Sequence, residues 1–200
     1  MINKISLSHL SKCNLLAVAK LHIDGINKGF ISSLGLPFVT SLYEAVAEDK
    51  NSFGFAAVED GEVIGFVAFS SNLSKLYKHV VLKKGFRFVF ILARKMFSIR
   101  VIKKIFQNIF YPSKMKKSGL PDAELLSIVV SSKFQGRGLA KRLVEKGLQE
   151  CKARDISQVK VLVAEENRPA NKLYTNTGFK LHSQVESHGV KSNIYVADLA

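Results

Sequence analysis

Glu124-Leu-Leu-Ser-Ile-Val-Val130, then Ser131-Ser-Lys-Phe134, then Gln135-Gly-Arg-Gly-Leu-Ala140 run without interruption near the middle of the chain. The first seven residues are almost wholly apolar and rich in β-branched side chains, which reads as a buried strand. Four residues of loop follow, and glycines then stand at 136 and 138. From Gly138 to Arg154 the pattern turns helical. Leu139, Leu143, Val144, Leu148 and Cys151 share one face, while Lys141, Arg142, Glu145, Lys146, Gln149 and Glu150 fall on the other. A helix that starts behind glycines offers unpaired N–H groups and the positive end of its dipole, with no side chain to keep an anion away. Arg137 and Lys141 add positive charge beside it. Two glycines alone fit an ordinary tight strand-to-helix turn equally well.

The elements on either side can be read in the same way. Ile2 to Leu7 alternates as a first strand. Leu10, Cys13, Leu16, Ala17 and Leu21 recur at helical spacing from His9 to Ile26, until Gly25 and Gly29 break the pattern. Pro37 opens a second helix with Val39, Leu42, Tyr43 and Val46 inward. Phe53 to Val58 and Glu62 to Phe69 flank Glu59-Asp60-Gly61, a hairpin signal with Asp-Gly in the turn. Val159 to Ala164 is a strand, and Pro169 to Asn176 a short helix closed by Gly178. Lys180 to Glu186 and Asn193 to Asp198 are two last strands. The order predicts an α/β (α+β) fold, a mixed sheet with helices on its faces. Residues 1–200 form one domain with a sizeable core.

Charge is concentrated in one place. Net charge is +14. Leu73 to Gly119 holds 13 Lys or Arg and no Asp or Glu, so the rest of the chain is left with 17 basic against 16 acidic residues. The two cysteines, Cys13 and Cys151, have neither disulfide nor metal spacing and read as reduced thiols in helices. The five histidines form no metal-ligand cluster, so no metal is expected. The N-terminal residues lack a signal-peptide pattern, and no run approaches the ~20 apolar residues of a membrane span. The expectation is a cytoplasmic location.

Two motifs resemble a known family. Gln135-Gly-Arg-Gly-Leu-Ala140 is similar to the Gln/Arg-x-x-Gly-x-Gly/Ala motif of the GNAT N-acetyltransferases. Asn167, Ala170, Leu173-Tyr174 and Gly178-Phe179 resemble their Asn-x-x-Ala-x-x-Leu-Tyr-x-x-x-Gly-Phe signature at the expected distance. The resemblance implies a mostly antiparallel sheet splayed at strands 4 and 5, with acetyl-CoA as co-substrate in the gap. Ile128, Val129 and Val130 would pair with the pantetheine arm. The N–H groups of Gln135, Gly136, Arg137, Gly138, Leu139 and Ala140 would hold the pyrophosphate, and Asn167 would bond the pantetheine or the acetyl end.

The implied reaction is direct transfer of the acetyl group to an amine. A backbone N–H of Val129 or Val130 would stabilise the oxyanion. Tyr174 stands at the family position for the acid that protonates the leaving thiolate; a core tyrosine is the other reading. Glu124 lies 11 residues before Gln135, a spacing at which some family members carry a general base; a solvated strand-end carboxylate is the other reading. The family's alternative carboxylate position, on the fifth strand, is Leu162 here. That departure argues against close kinship with the ribosomal-protein N-terminal acetyltransferases. Glu165 and Glu166 read as exposed.

The segment from 73 to 119 is expected to be a basic helical insertion between strands 3 and 4. Phe, Ile and Val residues interleave its cations, which suits two amphipathic helices with a basic face. Four roles stay open: a lid on the sheet, recruitment of an anionic acceptor such as a nucleotide-linked amino sugar or an acidic carrier, contact with an anionic membrane surface, or nucleic acid. No nucleic-acid-binding motif accompanies the charge, which argues against the last. Two functions from different classes follow. One is an enzyme acetylating a primary amine of a small or carrier-linked acceptor. The other is a coenzyme A-binding module that holds an acidic partner. The sequence names neither the acceptor nor the oligomeric state.

Overall fold

A computed structural model describes residues 5–27, 29–93, 119–187 and 190–200. Strand β1 (Ser6–His9) runs into a 3-10 turn at Leu10–Lys12. Helix α1 (Leu15–Gly25) then starts on Asn14, whose Oδ1 accepts from the Leu16 and Ala17 N–H groups at 3.1 and 3.2 Å. That cap divides the stretch read as one helix from His9. The short α2 (Phe30–Ser33), absent from the sequence reading, precedes α3 (Leu36–Glu48), which carries proline in its first turn as expected. Strands β2 (Ser52–Glu59) and β3 (Glu62–Ser70) form the expected hairpin, with Asp60 and Gly61 both at positive φ. Helix α4 (Leu73–Ala93) follows, then β4 (Glu124–Val130), α5 (Leu139–Ala153), β5 (Gln158–Ala164), α6 (Arg168–Thr175), β6 (Lys180–Ser187) and β7 (Val190–Asp198). The first strand expected from Ile2 begins outside the described residues; its described part is β1.

The seven strands form one mixed sheet in the order β1-β2-β3-β4-β5-β7-β6, and β4/β5 is its parallel neighbour pair. That pair meets only at Glu124 and Lys160, where the Lys160 N–H donates to the Ala123 carbonyl at 3.0 Å. Beyond this point the strands part, and the remainder of β4 has a free edge. On the other side β4 pairs with β3 from Gly65–Val130 to Ser70–Glu124, with a bulge where Ala68 faces Ser127 and Phe69 faces Leu125. Leu126 is the extra residue.

Each face of the sheet has its own core. On one, α5 lays Leu139, Leu143, Val144, Leu148 and Cys151 against Phe53, Phe69, Leu125 and Val161. These are the five helix residues the sequence assigns inward. On the other, α1, α3 and α4 cover Phe66, Ala68 and Val129 with Val18, Val39, Tyr43, Val46, Leu76 and Val80. Helix α1 approaches β4 closely: a Cβ on Gly25 would lie 2.4 Å from Val129 Cγ1.

Helix α4 is the described part of the basic segment. It is tied to α3 by the Phe38–Phe88 stack (4.4 Å between centroids), by Lys84 to Glu48 (3.0 Å) and Glu44 (3.5 Å), and by Arg87 to Glu44 (2.9 Å). Two of its cations are thus paired within the protein. Its outward side mixes Lys83 with exposed Val81, Leu82 and Phe86, so it is not a purely cationic face. The second expected amphipathic helix falls on residues 94–118, outside the described residues. Among the described residues no helix is long and apolar enough to cross a membrane.

Candidate active site

A cavity of about 750 Å³ opens where β4 and β5 part. Its walls are Ile128, Val129 and Val130 of β4, Phe134, Gln135, Gly136 and Gly138 of the loop, the first residues of α5, Gly25 of α1, and Asn167 with the facing side of α6. Nine of the ten residues expected to hold the coenzyme line it. The tenth, Arg137, does not; its guanidinium lies over the Phe134 ring, 5.1 Å from the centroid.

The loop's geometry follows from its glycines. Gly136 and Gly138 have φ of 76° and 74°, in the left-handed region that strains any residue with a Cβ. Gly138 is the N-cap of α5 and supplies no side-chain hydrogen bond to the first turn, so no side chain from the cap satisfies those N–H groups. The loop is anchored by Gln135 Nε2, which donates to the Val130 carbonyl at 3.0 Å. Asn167 caps α6 by accepting from the Ala170 N–H at 3.2 Å, while its carboxamide nitrogen carries the donors a ligand would use. An anion-binding helix terminus beside a free strand edge fits the two ends of a coenzyme A molecule, a pyrophosphate and an amide-bearing arm.

The alternation of the ladder decides which β4 groups face the gap. Ser131 donates to the Ile64 carbonyl at 2.9 Å, and the register pairs Phe66 with Val129 and Val67 with Ile128. In an antiparallel pair, hydrogen-bonded and non-bonded positions alternate. Val129 therefore turns its N–H and C=O to β3, and Ile128 and Val130 turn theirs to the gap. Of the two expected oxyanion donors, Val129 is excluded by this pairing. Val130 remains, joined by Ile128, which lies nearer the closed end of the split.

The two expected proton-transfer residues do not line this cavity. Tyr174 is 5% exposed and packs between Phe179 and Tyr195, at 5.6 and 6.3 Å between ring centroids. Burial pushes its phenol well above the usual tyrosine range, so it holds its proton at neutral pH. Its neighbours Lys172 and Leu173 are on the cavity wall. Glu124 lines a second, smaller cavity of about 170 Å³ on the α1/α3/α4 face. It is buried, not solvated at the strand end. Burial raises its carboxyl to about 7, against the opposing pull of Lys160, whose Nζ lies 3.5 Å from Oε2. That Oε2 accepts no hydrogen bond among the described residues. Leu162, at the alternative carboxylate position, is 38% exposed. Glu165 and Glu166 are exposed too.

Several residues around Glu124 escaped the sequence reading. Lys160 is 2% exposed and also donates to the Pro121 carbonyl. His22 Nδ1 and the Tyr43 hydroxyl share a 2.8 Å hydrogen bond, and burial lowers His22 to about 4. Tyr77 is raised to about 12, by burial and then by the Glu124 charge. One signal was available for Lys160: a lysine inside Val159-Lys160-Val161, a strand apolar on both sides, needs a partner. Cys151 is buried in α5, with its thiol raised to about 12 chiefly by burial; Cys13 sits in the turn before α1 and its thiol is raised by burial.

A mixed sheet split at its parallel pair, with a cavity between the free edge of one strand and a glycine-turned helix terminus, defines the GNAT type of fold. The comparisons agree. The model of the acetyltransferase (GNAT) family matches residues 24–179, and the chain belongs to that family. Among curated proteins, a mycothiol acetyltransferase of Thermobifida fusca is 40% identical over 63 residues, which are 32% of this chain and only 20% of that protein's length. Among solved structures, the ribosomal-protein-S18-alanine N-acetyltransferase from Escherichia coli superposes with a TM-score of 0.63 at 14% identity, covering 98% of this chain and 95% of that one. Arabidopsis thaliana NAA60 in complex with acetyl-CoA gives 0.62 at 17%, covering 98% and 99%. At these identities the two structures support the fold alone.

Proposed function

We propose that the protein is an acetyl-CoA-dependent N-acetyltransferase acting on a primary amine. The observation that carries this reading is the placement of both cavities against one strand. The larger meets β4 at Ile128 to Val130, and the smaller meets it at Glu124, Leu126 and Ser127. A coenzyme-sized site and a buried carboxylate poised near neutrality thus lie side by side.

The co-substrate supplies the acetyl group as a thioester. The first-turn N–H groups of α5 and the loop at 136–138 bind its pyrophosphate, and the free edge at Val130 orients its amide-bearing arm. The Ile128 N–H stabilises negative charge growing on the carbonyl oxygen. Glu124 takes a proton from the amine, whose nitrogen forms the new C–N bond as the C–S bond breaks. Tyr174 returns a proton to the departing sulfur; this assignment comes from the family signature, because the ring lies in the core. The products are an N-acetylated amine and the free thiol. A carboxyl near 7 suits a base working near neutral pH.

Gly138→Trp tests the coenzyme site, since it sets an indole on the helix terminus. Coenzyme A affinity by calorimetry should fall at least about a hundredfold, because most phosphate contacts run through this turn. Unchanged affinity would place the coenzyme elsewhere. Coenzyme binding by the parent with no amine-dependent thiol release would leave a binding module and end the enzymatic reading.

A further inference from the structure

We infer that the 170 Å³ cavity is the acceptor subsite, and that it selects a primary amine on a compact apolar body about the size of one aromatic ring. The inference rests on the acetyltransferase reading and adds the substrate class.

The first argument is position. The smaller cavity touches α1 at His22 and β4 at Ser127, while the larger touches the same elements at Gly25 and Ile128. An amine at the boundary would sit against the strand position whose N–H faces the split. The second argument is chemistry. One end of the cavity is polar: His22 Nε2 is buried with no hydrogen-bond partner among the described residues, and the buried Glu124 Oε2 meets the Lys160 ammonium at 3.5 Å without accepting a hydrogen bond. Buried polar atoms in native proteins are hydrogen-bonded as a rule, so an unpartnered imidazole nitrogen and a carboxylate oxygen with no hydrogen bond on one cavity point to a missing partner. An amine, with its N–H donors and lone pair, can serve both, donating to the carboxylate and either donating to or accepting from the imidazole according to tautomer.

The third argument is size and polarity. Ile31, Leu42, Val46, Leu73, Leu76 and Val80 form the apolar part of the wall. An apolar cavity of ~150 Å³ accommodates benzene. An amino sugar would bury hydroxyls against these side chains, at roughly tenfold in affinity for each one left unpaired. A polyamine would bury further charges. Three of the six come from α4, so the described part of the basic segment contributes apolar surface to the acceptor, while its Lys84 and Arg87 pair with α3. The titratable groups facing Glu124 are Lys160 from β5, Tyr77 from α4, and His22 and Tyr43 from α1 and α3.

The test measures thiol release from acetyl-CoA by the full chain with phenethylamine, isoamylamine, glucosamine and spermidine. The two apolar amines should exceed the others in kcat/KM by at least about tenfold. Leu76→Ala widens the wall and should raise the ratio of tryptamine to phenethylamine kcat/KM by about five- to tenfold, with the KM for acetyl-CoA unchanged. A global folding defect would lower both amines alike and would not produce that switch. Preference for glucosamine or spermidine overturns the subsite and leaves the acetyltransferase reading intact. So does an unchanged ratio in the variant. Failure of coenzyme A to bind the parent, with no thiol release to any amine, overturns the acetyltransferase reading and this inference with it. Coenzyme binding with no transfer to either apolar amine overturns the subsite.

Discussion

Lys160→Met should move the acidic limb of the pH–rate profile to higher pH. Lys160 Nζ is 3.5 Å from Glu124 Oε2, and both side chains are almost wholly buried. At an effective dielectric constant of ~20, two unit charges at this distance attract by ~5 kcal/mol, an upper bound of about 3.5 pH units. Water entry and side-chain relaxation reduce this, so a shift of about 1 to 3 units is expected. The sign is unambiguous. Glu124 accepts a proton only as carboxylate, so kcat/KM rises as pH passes its folded value of about 7. Removing the neighbouring cation disfavours the carboxylate further, and the limb moves up. At neutral pH the variant should therefore be slower by roughly tenfold or more, and it should recover in alkali. Methionine keeps the length and apolar contacts of the lysine stem. Lys160→Arg, which keeps the charge, is the control and should leave the limb near its place. The assay is kcat/KM for the preferred amine from about pH 5 to about pH 10, with folding checked by circular dichroism. An unmoved limb in Lys160→Met would show that Glu124 is not the group whose ionisation sets the rate.

Two further outcomes follow. Tyr174→Phe keeps the ring that packs on Phe179 and Tyr195 and removes only the acidic proton, so turnover should fall about 10²- to 10⁴-fold with the KM for acetyl-CoA little changed; full turnover would pass the proton to water or to the acceptor. In stability, the native state holds the Glu124 proton up to about 7 while the unfolded chain releases it at the ordinary carboxylate value of 4.5, so the group costs stability as pH rises through that window, to a limit of ~3 kcal/mol. The difference in urea-unfolding free energy between parent and Glu124→Gln should fall by about that much across the window. His22 works in the opposite sense between about 4 and 6.5, but it is present in both proteins and cancels to first order; a difference independent of pH would refute the assignment.

The fold was legible where one local signal sufficed. Asp60-Gly61 supplied a turn that only positive φ satisfies, and the apolar face of α5 matched its buried face residue for residue. The residues of the larger cavity were legible for the same reason: apart from Gly25 of α1, its walls are nearly contiguous in sequence at 128–141 and 167–176. The smaller cavity was not. Its walls come from α1, α2, α3, α4, β3 and β4, brought together by tertiary packing alone. Glu124 at a strand end looks solvated in sequence, because nothing nearby announces that Lys160 and helix α4 will cover it. Leu34 and Ser32 in and after α2 are buried, yet Phe30–Ser33 is too short to show a period.

The bulge at Leu126 explains why one strand can serve both cavities. Strict alternation would place Glu124, Leu126, Ile128 and Val130 on one face of the sheet. The extra residue breaks that parity. Leu125, Ile128 and Val130 pack with the α5 core, while Leu126 and Val129 pack with the α1/α3/α4 core, and Glu124, Leu126 and Ser127 all reach the smaller cavity. With no bulge, Glu124 and Val130 would share a face. The carboxylate would then be directed with the strand residues that support the α5 core, and the acceptor side would have no base. The same irregularity lies directly before Ile128, whose N–H the ladder leaves facing the split. Under the proposed mechanism the bulge thus lets a seven-residue strand turn Glu124 to the face opposite Val130, close to the backbone donor at Ile128. Deleting Leu126 would restore regular pairing and leave Glu124 on the face opposite Val130, so the carboxylate should stay on the acceptor side and transfer should survive; loss of transfer by a folded deletion variant would show that the reaction needs the bulge itself and not the face it assigns to Glu124.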